Sequence, residues 1–282
     1  MRLKQQFERE KQLATSFKKL LYNRRVRRDA EPEGTQSTKR TDIPEGYVKK
    51  MAAMLFDELA VGVKLCYGKV GNIFNPQRSV PLDPMPRGLL LDRGLETRWE
   101  EHKFYSRKTM PFGMRATGDA WWENWHNYRG NRFQGLAADE FVERFGLEMS
   151  DFKTNSSSYA YAQQITQRHI EDDRIMVVWD AYVEPFGFIN ERVGGVYLLE
   201  QNYVLIQPEY WSSERHGEKN GGCSTRVSTC YAITPNFLDS KLEEDPKTVA
   251  MIDVLVSAMT TTAMALTEMV ENFLLDQALQ QF

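Results

Sequence analysis

Three of the six tryptophans fall within five residues: Trp121, Trp122 and Trp125, inside the segment TGDAWWENWHNYRGNRF at 117–133. If Asp119 caps a helix there, Trp121, Trp125, Tyr128 and Arg132 share one face, while Trp122, His126, Arg129 and Phe133 share the next. Aromatic side chains dominate burial in ordinary domains, so both stripes can be core. Rings beside guanidinium groups can equally form a platform that receives unpaired bases. A second group with chemical potential is the cationic set Lys4, Lys11, Lys18, Lys19, Arg24, Arg25, Arg27 and Arg28. Residues 1–30 carry ten Lys/Arg against three Asp/Glu, and residues 31–282 carry twenty-six against thirty-six, so an arm of +7 precedes a body of −10. Such asymmetry marks an arm that meets nucleic acid, an acidic membrane, or the acidic body of another copy.

Signatures of common chemistries are missing from the sequence. There is no GxxxxGK[ST] phosphate loop, no GxGxxG after a strand, no HExxH and no GxSxG. His102, His126, His169 and His216 are scattered singly. His216, Cys223 and Cys230 stand seven residues apart, which does not match the short ligand pairs of structural zinc sites. The acidic run Glu171-Asp172-Asp173 reads as the solvated entrance to a strand. No metal, no cofactor and no catalytic residue is therefore expected, and an enzyme would need a site assembled from distant positions. Three cysteines are too few for a disulfide framework, which suits a reducing, cytoplasmic compartment. The first twenty residues alternate charge and apolarity, unlike a secretory leader. The weakly charged run at 254–267 is Thr-rich and too short to span a bilayer, so no membrane span is expected.

The elements that would hold these groups follow from periodicity. Residues 1–29 read as a basic amphipathic helix, with Leu3, Phe7, Ala14, Phe17 and Leu21 on one side. Residues 30–40, with Pro32 and Gly34 and little to bury, read as a mobile linker, which divides the chain into an arm and linker at 1–40 and a single α+β domain at 41–282. A five-turn helix is expected from about Pro44, ended by Gly62, Gly68 and Gly71. Residues 66–118 are broken by Pro and Gly, with short ordered pieces at 89–91 and 99–105 and a role in subunit contacts. Residues 137–149 read as a short helix, from Phe141, Phe145 and Met149, and the Ala and Gln content of 159–170 also favours a helix.

The strongest strand signal is at 173–211, where Ile175, Val177, Trp179, Ala181 and Val183 alternate onto one dry face. Segments 196–200 and 203–207 are expected to pair around Gln201-Asn202, and 224–234 adds a further strand. Asp245-Pro246 starts a last helix whose seam runs Val249, Ile252, Val256, Met259, Ala263, Leu266, Val270 and Phe273. The expected fold is α+β, an antiparallel sheet at about 174–234 packed by long helices. The expected function is non-enzymatic binding of RNA or single-stranded nucleic acid through the arm and through Trp121, Trp125, Tyr128, Arg129 and Arg132. A self-assembling homo-oligomer of viral or phage type, its arm on a neighbour's acidic body, is the second reading.

Overall fold

The computed structural model describes residues 11, 14–15, 17–22, 36–43, 48–74, 101–128, 139–209 and 224–280. In chain order they form β1 (Gln36–Thr41), α1 (Val48–Ile73), β2 (His102–Met110), α2 (Met114–Tyr128), β3 (Glu140–Asp151), β4 (Ser156–Ile170), β5 (Ile175–Phe188), β6 (Glu191–Arg192), β7 (Val196–Pro208), β8 (Thr225–Phe237), a 3-10 turn (Ser240–Glu243) and α3 (Pro246–Gln280). The strands make one curled antiparallel sheet in the order β1-β3-β4-β5-β7-β8-β2, with β6 paired to β5.

The expected mix of helix and antiparallel sheet is present, but the sheet reaches well beyond 174–234. β5 lies near its middle, and every residue from Ile175 to Val183 is buried, so neither face is wet. Val177, Trp179, Ala181 and Val183 face an inner core shared with Trp121 and Trp122 of α2 and with Leu255, Leu266 and Val270 of α3. Met176, Val178 and Tyr182 face an outer core closed by Leu59, Val63, Cys66 and Val70 of α1. A strand covered on both sides needs apolar residues at both parities, which is why the run at 175–183 is nearly continuous.

Several expectations are corrected by tertiary context. Residues 137–149 and 159–170 are not helices but belong to β3 and β4, which pair along twelve positions from Glu140↔Gln167 to Asp151↔Ser156. Phe141, Phe145 and Met149 at four-residue steps satisfy a period of two as well as one of 3.6, and pairing decides between them. In β4 the helix-favouring Ala160 and Ala162 are fully buried on the inner face, where packing overrides intrinsic propensity. Part of the supposed linker is strand: Gln36–Thr41 pairs with β3 from Gln36↔Asp151 to Thr41↔Gly146, straddling the anticipated boundary at 40. The turn expected at Gln201-Asn202 is absent, because β7 runs unbroken past both and pairs with β5 and β8.

Helix α1 continues through Gly62, Gly68 and Gly71 to Ile73. Helix α2 begins at Met114, so Asp119 is an interior residue; its carboxylate instead takes a hydrogen bond from Arg168 at 3.2 Å. The expected start of the last helix holds. The Asp245 carboxylate accepts from both the backbone N–H and the hydroxyl of Thr248 at 2.8 Å, and Pro246 opens the first turn. α3 is long and apolar enough to cross a membrane by length and composition alone; here Leu255, Leu266, Val270 and Leu274 pack into the inner core.

Candidate functional site

The register of the strands lines up a row of side chains across the inner face. Glu143 stands opposite Gln164, Gln164 opposite Ala181, Ala181 opposite Glu200, and Glu200 opposite Ile233, while Arg40 of β1 lies off this row, opposite Leu147. The neighbouring row carries Thr166, Trp179, Asn202 and Tyr231. Because alternate residues of a strand share a face, six strands contribute to one surface, and α3 lies across it.

Sheet and helix do not close completely. Between them is a cavity of about 400 Å³, walled by Phe145, Leu147, Met149, Trp179, Val183 and Ile233 on the sheet and by Met259, Ala263 and Leu266 on α3. Small residues make the room: Ala162 and Ala181 present only methyl groups to it. A smaller space of about 140 Å³ adjoins it between β2, β8 and α3, sharing Tyr231 and Ala263 as walls.

The polar groups of the cavity are held rather than loose. Arg40 reaches Glu143 at 3.4 Å and lies 3.5 Å over the Phe145 ring, a cation against an aromatic face. The Gln164 amide donates to the other Glu143 oxygen at 3.0 Å and to Thr166 at 3.1 Å. Asn202 donates to Glu200 at 3.0 Å and accepts from the backbone N–H of Ala232 at 3.1 Å. Tyr231 donates to the carbonyl of Ala263 at 3.3 Å and meets Trp179 edge-on at 5.6 Å, and burial raises its pKa. Buried polar groups fixed in this way orient a bound molecule without themselves needing rearrangement.

Outside the cavity, the outer core holds Cys66, Asp180, Tyr203 and Cys230. Burial pushes the Cys66 thiol up to about 11 and Cys230 up to about 12, so neither is a ready thiolate. His216 and Cys223 lie outside the described residues. Among the described residues no three His, Cys, Asp or Glu side chains stand together as a metal site. The acidic run before β5 is a local clasp: Glu171 takes hydrogen bonds from Arg174 at 2.6 Å and from Tyr67 at 2.9 Å.

The residues singled out for nucleic acid fare differently. Trp121 is 2% exposed and Trp122 0%, both in the inner core. Trp122 does carry a guanidinium over its ring at 4.8 Å, but it belongs to Arg168 of the same chain, and Phe141 packs its other neighbourhood at 5.0 Å. No base can reach either ring. Trp125 and Tyr128 lie in α2, with side chains outside the described residues, and Arg129 and Arg132 lie outside them altogether. Lys11, Lys18 and Lys19 are exposed, while Phe17 meets Phe112 of the body edge-on at 5.3 Å. Lys4, Arg24, Arg25, Arg27 and Arg28, and most of the expected basic helix, lie outside the described residues.

No family model matches the chain, and no curated protein does. Solved structures are similar in part, among them the following three. The crystal structure of the di-domain ARO/CYC BexL is 12% identical over 61% of this chain, with a TM-score of 0.32, and the match spans about half of BexL, 49% of its length. A conserved protein from Geobacillus kaustophilus is 7% identical over 61% of this chain and 94% of its own, with a TM-score of 0.32. A Thalictrum norcoclaurine synthase point mutant is 11% identical over 65% and 99%, with a TM-score of 0.31. The burial of Trp121 and Trp122 overturns the nucleic-acid reading, for neither ring can receive a base.

The residues that line the cavity escaped sequence reading as a set. Periodicity places Trp179, Ala181 and Val183 on the apolar face of a strand and Met259, Ala263 and Leu266 on the seam of the last helix, but nothing in it joins the two across a cavity. A usable signal existed in the polar residues Gln164, Glu200 and Asn202, which interrupt strands otherwise rich in buried side chains.

Proposed function

We propose that the chain binds a small, predominantly apolar molecule in the cavity between its sheet and α3. The observation that carries this reading is the cavity itself: about 400 Å³. Protein interiors pack with few voids larger than a water molecule, whereas small-molecule pockets span about 300–1,000 Å³. Its composition has the same character, an apolar wall with a few oriented polar groups, Arg40, Gln164, Glu200 and Asn202. The activity proposed is binding alone, because polar groups of the lining are engaged within the protein, Glu200 by Asn202 and the Tyr231 hydroxyl by the Ala263 carbonyl.

A neutral fluorophore, N-phenyl-1-naphthylamine, tests it. The wild-type chain enhances the fluorescence saturably, and Ala181→Phe, which drives a ring from the sheet into the cavity, abolishes the enhancement while far-ultraviolet circular dichroism is retained. No saturable enhancement by the wild type, or equal enhancement by a folded Ala181→Phe, would overturn the reading.

A further inference from the structure

Three turns converge at one end of the sheet, and each raises a large apolar side chain into solvent. Phe152 follows β3 and is 64% exposed, Ile189 follows β5 and is 50% exposed, and Leu238 follows β8 and is 79% exposed. Their common location follows from the pairing. Asp151 is opposite Ser156 and Ser158 opposite Phe188; the N–H of Ile189 donates to the carbonyl of Ser157 at 3.0 Å; Val196 is opposite Phe237; and the N–H of Leu238 donates to Gly195 at 2.8 Å.

Ile189 is the most informative of the three. It and Asn190 form a two-residue hairpin between Phe188 and Glu191, with φ of 48° and 63°. Such turns need both central residues in the left-handed region and favour Asn-Gly. A β-branched residue is strained there. Strain at a residue buried in a core can be offset by packing; Ile189 is half in water, so packing offers little compensation. Asn155, in the turn that carries Phe152, also has positive φ at 52°, but Asn tolerates it.

We infer that this end of the sheet docks on an uncharged, zwitterionic lipid surface, with Phe152, Ile189 and Leu238 entering the boundary between headgroups and chains. The apolar residues stand on separate turns divided by polar ones, which suits a deformable layer better than a rigid protein patch. Charge points to the kind of layer. Each tip carries an acid and a base: Asp151 with Lys153, Glu191 with Arg192, and Asp239 with Lys241. Lys247 is paired with Glu191, and Glu243 and Glu244 add negative charge nearby. Mixed charge of this kind complements zwitterionic headgroups and disfavours an anionic leaflet.

The test is flotation of the full chain with phosphatidylcholine vesicles, compared with vesicles in which part of the lipid is phosphatidylserine. The wild type floats with phosphatidylcholine. Phe152→Ser and Leu238→Ser each lower partitioning by roughly fivefold to tenfold, as loss of one inserted apolar side chain implies. Ile189→Asn lowers it similarly while its melting temperature stays level or rises, because Asn relieves the turn; a purely structural role for Ile189 would lower the melting temperature instead. Absence of flotation, flotation unchanged in the triple variant that combines Phe152→Ser, Ile189→Asn and Leu238→Ser, or flotation confined to phosphatidylserine vesicles would overturn the inference. A change in molar mass by light scattering between wild type and triple variant would assign the tips to a second copy, and would overturn it too.

Discussion

Asp180 lies directly beneath Gly62: a Cβ built on Gly62 would stand 1.6 Å from Oδ2 of Asp180. The carboxylate is buried between β5 and α1, and the helix can cross it only where it has no side chain. Burial pushes its pKa up to about 7; Lys69 opposes the rise and Glu200 adds to it. In the unfolded chain the same group titrates near the usual carboxylate value.

The sign of the resulting pH dependence is therefore set. The folded state holds the Asp180 proton more tightly than the unfolded state, so its contribution is full below about pH 4 and is lost as pH rises towards about 7, by up to a few kcal/mol. His169, whose pKa burial lowers, works in the opposite direction. Comparing wild type with Asp180→Asn isolates the term: denaturant midpoints measured from pH 4 to 8 fall with rising pH in the wild type relative to the variant. Parallel curves for the two proteins would show that Asp180 is not buried as described.

The three glycines of α1 differ in what surrounds them. A Cβ at Gly62 collides with Asp180, whereas Gly68 and Gly71 face open space. Gly62→Ala destabilises the protein by about 1–3 kcal/mol or more, the range for forced overpacking. Gly68→Ala and Gly71→Ala stabilise it by up to about 1 kcal/mol, since Ala is the better helix residue and nothing obstructs it. Urea denaturation of the three variants shows the opposite signs directly.

Trp121 and Trp122 are both core residues, so truncating either one to Ala costs about 3–5 kcal/mol. The loss is read by thermal melting followed by circular dichroism. A Trp122→Ala protein that melts with the wild type would contradict its place between α2, Phe141 and the Arg168 guanidinium.

Where local chemistry settles an element, the sequence alone determined it. Asp245-Pro246 starts α3 because a carboxylate cap and a proline at the first helical position act within one turn. The runs at 175–183 and 225–234 are strands because β-branched and aromatic residues leave little alternative. Tertiary structure alone decided the rest. The spacing of Phe145 and Met149 fits helix and strand alike until β4 pairs beside them. Gln36–Thr41 has too little to bury for a strand on its own and becomes one only as an edge on β3. The paired stripes around Trp121 and Trp122 are compatible with core or surface, and the choice falls to core because β5 and α3 supply the opposite wall. The cavity was least legible of all, for its wall joins positions as far apart as Thr38 and Leu266, and no local pattern encodes a space left between a curled sheet and the helix laid across it.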